Sequence, residues 1–355
     1  MGLPSVVIEF KQKAASAVEQ GAVGVLALVL KDASVNEVKE YTLFGIEDVP
    51  AGLSVENLAY IQQGMIGLPK EVKLVVIPAA AVDYSAALDR LETITFNVVA
   101  FPGVKDTEVA ALSTWAKTMF TNKERRILAV LPHAAADHPA VINFATDNIE
   151  VGAKTYTASQ YTARIAGLVA GLPLTVAPTF QTLPEVTNVP KLTKADADAA
   201  VKAGKLILFH DGEKVKIARG VTSFLTVTEA LGADWKKIKV VRILNKTYHD
   251  MKATIEDHYV GKVQNSYMNK LLLISAINAY YEVLEQEGIL DPGKNIIDID
   301  LAAQRTYLKS ILGAEEVAKM TEQQLKEANT RDQVFLAATQ RPLDAIEDVK
   351  ISVYL

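Results

Sequence analysis

The chain has 355 residues, half of them hydrophobic and 22% charged, which is typical of a soluble globular protein of about two or three domains. It contains no cysteine, so disulfides, cysteine-ligated metal clusters and cysteine nucleophiles are excluded. The 37 basic and 42 acidic residues give a net charge of −5, which disfavours general binding to nucleic acid or to an anionic membrane.

The N-terminal region begins with an extended segment and continues into a buried strand. Residues 4–10 (PSVVIEF) place Val6, Ile8 and Phe10 on one face of a predicted strand. The apolar run AVGVLALVL at 22–30 is shorter than the roughly 20 residues of a membrane span, and no apolar segment precedes a cleavage site. We therefore expect neither a signal peptide nor insertion into a membrane.

Residues 22–80 have the pattern of a small β-α-β unit. After the first strand, a helix is predicted from a cap at Ser54 to Gly64. A second strand, EVKLVVIPA, follows at 71–79.

From residue 81 onward, longer helices and strands alternate, which predicts a parallel or mixed α/β sheet. One helix carries a capping box from Thr157 to Gln160 and ends near Gly171. The glycines of GLVAG (167–171) lie late in this helix, where close helix packing is the expected reason for them. The helices are predicted at 83–92, 106–120 and 157–171, and the strands at 93–103, 125–132 and 139–146.

The last part of the chain mixes both kinds of element. A helix runs from Thr193 to Gly204, and the longest helix of the chain is predicted at 266–288. The alternating segment KKIKVVRI at 236–243 predicts a strand before a further helix at 245–261. Two final strands are predicted at 333–343 and 347–355.

A hairpin is predicted where two alternating segments flank an Asp-Gly pair, in GKLILFHDGEKVKIARG (204–220). A type I′ turn at 211–212 would pair Leu208 with Val215 on an apolar face. A catalytic triplet at the tip is the alternative, but turn chemistry and cross-strand pairing explain its three members, which are His210, Asp211 and Glu213. The hairpin is therefore predicted to be structural.

The sequence contains no phosphate-binding loop and no G-x-G-x-x-G after a strand. His133, Asp137 and His138 follow a strand, where α/β enzymes often place catalytic residues. An enzyme or small-molecule-binding protein with a site near His133 and His138 is therefore the alternative function. Asp298 and Asp300 share one side of an extended segment, but no third ligand lies near them. We predict no catalytic residue, no cofactor and no metal ligand.

Both ends of the chain are alternating strands. The last strand places one apolar face opposite Lys350, Ser352 and Tyr354. A free strand with an apolar face is an aggregation hazard unless it pairs. If each end adds to the sheet of a neighbouring copy, the head-to-tail contact need not close, and such contacts build helical filaments.

Four stretches in order along nearly the whole chain resemble the contractile tail sheath proteins of phages and of phage-tail-like (R-type) bacteriocins. They lie at 2–32, 136–173, 208–226 and 259–290. The third contains the hairpin followed by RGVTSF, and the fourth contains GKVQN followed by the longest helix.

The resemblance implies a mixed α/β fold, with an inner sheath domain built on a mixed sheet, a small outer domain and extended strands at both termini. The implied parts are an N-terminal arm (1–21), a small outer domain (22–80), the middle of the sheath domain (81–192) and a C-terminal inner domain that ends in an exchange strand (193–355). The residues of the inter-subunit strand exchange would be Val6, Ile8, Phe10, Val349, Ile351, Val353 and Leu355.

The resemblance further implies a mechanical function without enzymatic activity. Subunits would polymerise as stacked six-fold rings around a tail tube and contract from a metastable extended state to drive the tube through a cell envelope. The implied partners are other copies of the chain, the tail tube protein, and baseplate and tail terminator proteins, with assembly in the bacterial cytoplasm. The sequence leaves open whether the particle is a phage or a bacteriocin. Candidate tube-facing residues are Lys214, Lys216, Lys236 and Lys237.

Overall fold

The computed structural model describes residues 17–21 and 23–354. The predicted N-terminal strand at Val6, Ile8 and Phe10 therefore lies outside the described residues, as does Leu355.

The described residues form two compact units. The sheet unit contains residues 21–249 and the C-terminal segment 342–354, and the helical unit contains residues 17–20 and 250–341. In chain order, the elements that begin in the sheet unit are β1 (Val25–Asp32), β2 (Lys39–Leu43), α1 (Val55–Ile66), β3 (Glu71–Pro78), α2 (Ser85–Leu91), β4 (Val98–Ala100), α3 (Asp106–Thr121), β5 (Leu128–Pro132), β6 (Val141–Phe144), β7 (Ile149–Val151), β8 (Lys154–Tyr156), α4 (Ala158–Gly171), α5 (Lys194–Lys202), β9 (Lys205–Leu206), β10 (Leu208–His210), β11 (Val215–Ile217) and α6 (Ile238–His258).

A seven-stranded sheet in the order β2-β3-β1-β4-β5-β6-β9 is the centre of the sheet unit. Every neighbouring pair is parallel except β2 and β3, so the predicted mixed α/β sheet is confirmed. Residues 22–80 do not form a compact unit of their own, because β1 hydrogen-bonds to β3 on one side and to β4 on the other. The predicted boundary at residue 80 therefore falls inside one sheet, and the predicted domain 193–355 is divided between the two units.

The central strands are buried on both faces, as expected for parallel strands covered by helices. In β1, Leu26 and Leu28 point into a core that includes α1 and α4, whereas Ala27 and Val29 point into a second core that includes α2 and α3. This two-faced burial explains why the strand is a continuous apolar run rather than an alternating one.

Helices α1 and α4 pack closely on one face of the sheet through glycines. A Cβ on Gly167 would lie 2.0 Å from the carbonyl oxygen of Gly64, and a Cβ on Gly171 would lie 1.9 Å from that of Gly67. Only glycine allows the two backbones to approach so closely. The capping box of Thr157 is present as predicted, and Ser54 caps α1, but α1 continues past Gly64 to Ile66.

The hairpin β10–β11 exists, but its predicted register is wrong by two residues. Leu208 pairs with Ile217, and His210 pairs with Val215. The connection is longer than a type I′ turn because the Asp211 side chain accepts hydrogen bonds from the backbone N–H groups of Glu213 and Lys214 at 2.9 Å each. These bonds form an Asx-type turn in which only the glycine has a positive φ.

The strand predicted at 236–243 is wrong, since residues 238–243 are the start of helix α6. Both Ile238 and Val241 are buried, and Arg242 is buried as well. The Arg242 side chain donates to the backbone oxygen of Leu172 at 2.5 Å and so satisfies the C-terminal end of α4. A segment buried on nearly all sides has no clear period, so its alternation did not distinguish strand from helix.

The helical unit contains the second part of α6, beginning at Asp250, and a set of shorter elements around the long helix. In chain order these are α7 (Tyr267–Gln286), β12 (Ile296–Ile299), α8 (Leu301–Leu312), α9 (Ala314–Ala318), α10 (Glu322–Glu327) and β13 (Leu336–Thr339). The predicted long helix is confirmed as α7, and one of the two predicted C-terminal strands is β13, which pairs antiparallel with β12. A small core of Leu308, Val317 and Leu325 joins α8, α9 and α10.

The glycine contact gives a stability prediction. Gly167→Ala places a methyl group inside the backbone of α1, so we expect the free energy of unfolding to fall by about 1–3 kcal/mol. Gly232→Ala is the matched control, because that glycine has φ −71° and a Cβ added to it would meet no atom within 4 Å. Denaturant unfolding of both variants measures the difference, and equal stability of the two would contradict the close contact.

Candidate assembly interface

The C-terminal segment consists of an anchored part and a free part, both of which belong to the sheet unit. We call residues 344–348 the root segment and residues 349–354 the terminal strand. In the root segment, Glu347 accepts a hydrogen bond from Arg219 Nε at 2.9 Å, and Asp348 accepts one from Arg219 Nη2 at 2.5 Å. Asp344 forms an ion pair with Lys237.

The terminal strand makes no β-pairing within the described part of the chain. Its apolar side chains are exposed: Val349 to 71%, Ile351 to 79% and Val353 to 77%. These three residues are the predicted apolar face of an exchange strand. They alternate with Lys350, Ser352 and Tyr354, and no apolar contact among the described residues buries them.

Strand β13 has an open outer edge. The backbone N–H of Ile297 in β12 donates to Asn278 Oδ1 at 2.9 Å, and its carbonyl accepts from Asn278 Nδ2 at 3.1 Å, so the backbone groups of this residue point away from β13. Ala338 lies opposite Ile297, and in an antiparallel pair the backbone groups of both such residues point outward. The groups of Ala338 and Leu336 therefore form an edge to which no described residue hydrogen-bonds.

The hairpin β10–β11 has no comparable edge in the described chain, because its outward backbone groups are already paired. Leu183 N–H donates to the carbonyl of Val215 at 2.9 Å, and Ile217 N–H donates to that of Gln181 at 3.0 Å. On the other side, Leu208 N–H donates to Thr146 Oγ1 at 2.9 Å. The hairpin thus belongs to the interior of the sheet unit, in agreement with its predicted structural role.

Two of the four candidate tube-facing lysines form ion pairs with acidic residues of the described chain, and the other two do not. Lys216 pairs with Asp211, and Lys237 pairs with Asp344. Lys214 and Lys236 form no ion pair with any described residue, and Lys214 is exposed at the hairpin tip. Two of the four charges are therefore compensated within the chain.

The residues predicted as an alternative active site have structural partners. Asp137 Oδ1 accepts the N–H groups of Leu225 and Thr226, and its Oδ2 accepts the Thr226 hydroxyl at 2.6 Å; these hydrogen bonds lower the pKa of Asp137 to about 2. His138 Nδ1 accepts the N–H of Ala140 at 3.1 Å, and its ring meets Phe120 edge to face. The Asp137 carboxylate is exposed but holds a loop through three hydrogen bonds, and the half-buried His138 ring packs on Phe120, so both have a structural role.

The other acidic and histidine candidates also lack the features of a metal site. His133 Nε2 lies 2.8 Å from Asp147, and Asp298 lies 3.4 Å from Lys326. Asp300 caps α8 by accepting the N–H of Ala303. Among residues 17–21 and 23–354, no group of three or more acidic or histidine side chains could hold a metal ion. None of the described helices is long and apolar enough to cross a membrane.

The usual ligand position of an open α/β sheet is the crevice where strand order reverses, here between the carboxyl ends of β1 and β4. In this chain Lys31 enters the crevice and bonds Glu108 at 2.8 Å and the carbonyl of Ala81 at 3.2 Å. The carboxylate of the neighbouring Asp32 already accepts hydrogen bonds from Ser54 and other groups of the chain. Burial alone would raise its pKa, but these hydrogen bonds hold the pKa far below its usual range. The polar groups at this position are therefore committed to one another.

The half-buried imidazole of His138 gives a pH prediction. Burial and, to a smaller extent, the positive charge of Lys117 lower the pKa of His138 from 6.5 to about 4, against the opposing effect of the negative charge of Asp137. Between these two pH values the unfolded chain therefore binds a proton at His138 that the folded chain does not bind. The stability that depends on neutral His138 is present above pH 6.5 and is lost as the pH falls toward 4. Relative to His138→Asn, which keeps an acceptor for Ala140, we expect the native chain to lose about 1–3 kcal/mol more between pH 7.5 and 4.5.

Denaturant unfolding of both proteins at several pH values measures this difference. The depressed pKa of Asp137 lies below the window, so it does not contribute to the slope there. Parallel pH profiles for the native chain and the His138→Asn variant would contradict a neutral, half-buried histidine.

Comparison with known proteins finds two family models that together match most of the chain. The phage tail sheath protein central domain matches residues 78–223, and the phage tail sheath C-terminal domain matches residues 232–355. A tail sheath protein of Clostridium phage phiCD119 is 35% identical over 361 residues, covering 100% of this chain and 99% of that protein.

Solved structures agree at the level of the fold. A sheath tail protein from Desulfitobacterium hafniense superposes with a TM-score of 0.70 at 17% identity, covering 83% of this chain and 94% of that one. The helical sheath of the anti-feeding prophage in its contracted state superposes with a TM-score of 0.70 at 14% identity, covering 100% of this chain and 99% of that one.

The strand predicted at 347–355 forms no β-pairing among the described residues and stays a prediction, and sequence patterns did not predict the roles of Arg219 and the edge of β13. The sequence signal for the role of Arg219 is the acidic cluster DAIED, which precedes the final alternating segment. The sequence signal for the open edge of β13 is its sequence LAAT, which contains no charged residue or proline of the kind that prevents an edge strand from pairing. With two matching family models and a full-length relative, the chain belongs to the phage tail sheath family and is a structural subunit of a contractile sheath in a phage tail or phage-tail-like particle, not an enzyme.

Proposed function

We propose that this chain polymerises as stacked six-fold rings around a tail tube and that its ends link neighbouring copies by strand exchange. The terminal strand of one copy adds to the sheet of another copy, and the N-terminal arm with Val6, Ile8 and Phe10 adds in the same way. The observation that carries the proposal is the terminal strand itself, which is alternating, exposed and unpaired among the described residues.

The outer edge of β13 is the acceptor that best fits the C-terminal strand. The outward backbone groups of Leu336 and Ala338 have the spacing that an added strand requires. Their side chains share a face with Ile297 and Ile299, which are buried, whereas Asp298 is exposed on the other face. On β13 this face is still open, since Leu336 is half-buried and Ala338 is exposed, and a strand that brings Val349, Ile351 and Val353 to it would cover it.

Two other edges in the described part of the chain fit less well. Strand β2 begins with Lys39 and Glu40, and Glu40 forms an ion pair with Arg90 at 2.6 Å. Strand β8 has only three residues and begins with Lys154. Charged residues and short length protect edge strands from pairing, whereas β13 is uncharged along its whole length.

The tube contact is assigned to basic side chains that have no acidic partner among the described residues of the subunit. Lys214 and Lys236 meet this condition, whereas Lys216 and Lys237 are paired with acidic residues of their own chain. We propose Lys214 and Lys236 as the tube-facing members of the four candidates and assign to the remaining two a role within the subunit.

Contraction on this proposal moves the subunits as rigid bodies while the exchanged strands keep them linked. The doubly covered sheet and the backbone contact between α1 and α4 support rigid-body movement, because packed cores do not deform continuously. The energy is stored in a metastable extended state. We place assembly in the bacterial cytoplasm, with the tube, baseplate and tail terminator proteins as partners.

The two faces of the terminal strand give a matched pair of variants. Ile351→Asp places a charge on the apolar face, so we expect it to abolish tubes and rings in negative-stain electron microscopy. Ser352→Asp places the same charge on the opposite face and is expected to polymerise. Deletion of residues 349–355 should behave like Ile351→Asp.

Both variants should remain folded, because these side chains are exposed in the subunit. Circular dichroism and thermal unfolding of the unassembled proteins provide that control. Since sheath subunits can stay monomeric until they are seeded, each assay uses tube or baseplate seeds. Polymerisation of Ile351→Asp as efficiently as Ser352→Asp would overturn the donation of this strand.

The acceptor edge is tested by removing one backbone donor. Ala338→Pro deletes an outward N–H, which an edge strand tolerates on its open side, so we expect a folded subunit that fails to polymerise. Ala338→Thr is the control, since it keeps the N–H and suits a strand. Tubes formed by Ala338→Pro at the native level would exclude β13 as the acceptor edge.

A further inference from the structure

We propose that the root segment is an ionic latch, in which Arg219, Lys237 and Thr179 hold residues 344–348 on the sheet unit and thereby fix the point from which the terminal strand is donated. This inference rests on the proposed strand donation and adds a positioning role for residues far from the strand in sequence. All of the groups concerned belong to the sheet unit.

Glu347 is the buried anchor of the latch. Its side chain is only 11% exposed, and it accepts from Arg219 Nε at 2.9 Å and from the Thr179 hydroxyl. Thr179 Oγ1 in turn accepts the N–H of Gly220 at 2.9 Å, which fixes the hydroxyl next to the end of β11. A carboxylate with this burial and two donors is held in one place by charge-assisted hydrogen bonds.

The same guanidinium binds a second carboxylate. Arg219 Nη2 donates to Asp348 at 2.5 Å, so one planar fork bridges two consecutive acidic residues. The hydrogen bond to Asp348 and the charges of Asp348 and Glu347 raise the pKa of Arg219 against the opposing effect of partial burial. The backbone direction at the start of the terminal strand is therefore defined by this bridge.

The ion pair between Lys237 and Asp344 attaches the root segment at a second point, three residues before Glu347. The buried Lys239 lies close to the same acids: burial lowers its pKa, and the charges of Asp344 and Glu347 act in the opposite direction. One attachment would allow the segment to pivot, whereas two attachments fix its direction. Ile346, between them, is 91% exposed and takes no part in the anchoring.

The latch ends where the sequence changes from acidic to alternating. Residues 344–348 contain three acidic side chains, and every one is bound, whereas 349–354 contain none. Ordering the root before assembly lowers the entropy that must be lost when the strand is donated, and it keeps the strand at a fixed effective concentration near its acceptor. Because the pairs are partly exposed, added salt weakens them.

The latch can be observed in the unassembled subunit by distance measurement between spin labels. The chain has no cysteine, so Ile346→Cys in the root and Ala199→Cys on α5 give two labelling sites at exposed positions in one unit. We expect a narrow distance distribution for the native root. Arg219→Ala should broaden it, as should a rise in salt concentration.

A charge exchange provides the rescue. Lys237→Glu places like charges together and should broaden the distribution, and the double variant Lys237→Glu with Asp344→Lys should restore it. Both side chains of this pair are at least one-third exposed, so the exchange can be accommodated. In seeded polymerisation we expect Arg219→Ala and Lys237→Glu to need about tenfold more subunit, and the double variant to return to the native level.

The outcomes separate the latch from strand donation. A broad distribution in the native subunit, or no change in Arg219→Ala, would overturn the latch whatever the polymerisation result. Native polymerisation by variants with broadened distributions would overturn its positioning role. Native polymerisation by Ile351→Asp would instead overturn strand donation, and the distance measurements would still report on the root.

Discussion

Unpaired backbone groups are the constraint on which the assembly of this subunit depends. A strand contributes to a stable structure only when its N–H and C=O groups are hydrogen-bonded, and water satisfies them only while the strand remains exposed. In the described chain the outer backbone groups of β13 and the backbone groups of the terminal strand both lack a strand partner. On the proposed strand donation, each is satisfied by the other from a neighbouring copy, which pairs the outer edge of β13 with one side of the added strand and buries the apolar face of that strand.

The sheet unit supplies a body to which such strands can be attached. Its sheet is covered on both faces, and the Lys31 side chain in the ligand crevice of the fold is paired with Glu108. The fold is one that often hosts enzymes, but fold does not determine function. In this chain the candidate catalytic and metal-binding groups serve as loop contacts and helix caps. The groups proposed to act in assembly lie instead on the surface and at the chain ends.

Much of the sheet unit could be predicted from local patterns, because caps, glycines and apolar runs each have a direct structural meaning. The capping box at Thr157 and the packing glycines of α4 are examples. Prediction failed where long-range contacts decide. Arg242 is buried because it caps α4, and Glu347 is buried because it meets Arg219, which lies 128 positions away in the chain. No local pattern reveals such a partner, and the shifted register of β10 and β11 shows that even a side chain inside a turn can override the expected turn type.

A latched root sets a limit on the geometry of the assembled sheath. The described terminal strand, residues 349–354, spans roughly 20 Å when it is extended at about 3.3 Å per residue. Without the latch the free segment would begin after Arg341, whose N–H and carbonyl are held by Asn295 and Asp291, and residues 342–348 would lengthen it by roughly 23 Å. On the proposed strand donation, opening the latch therefore increases by that length the distance at which the acceptor edge of a neighbouring copy can be reached. A rearrangement that moves subunits farther apart has either to open the ion pairs of Arg219 and Lys237 or to pull the strand from its acceptor. The ion pairs of Asp348 and Asp344 are at least one-third exposed, so they cost less to separate than the apolar face that the acceptor would bury, and they are the contacts expected to yield first.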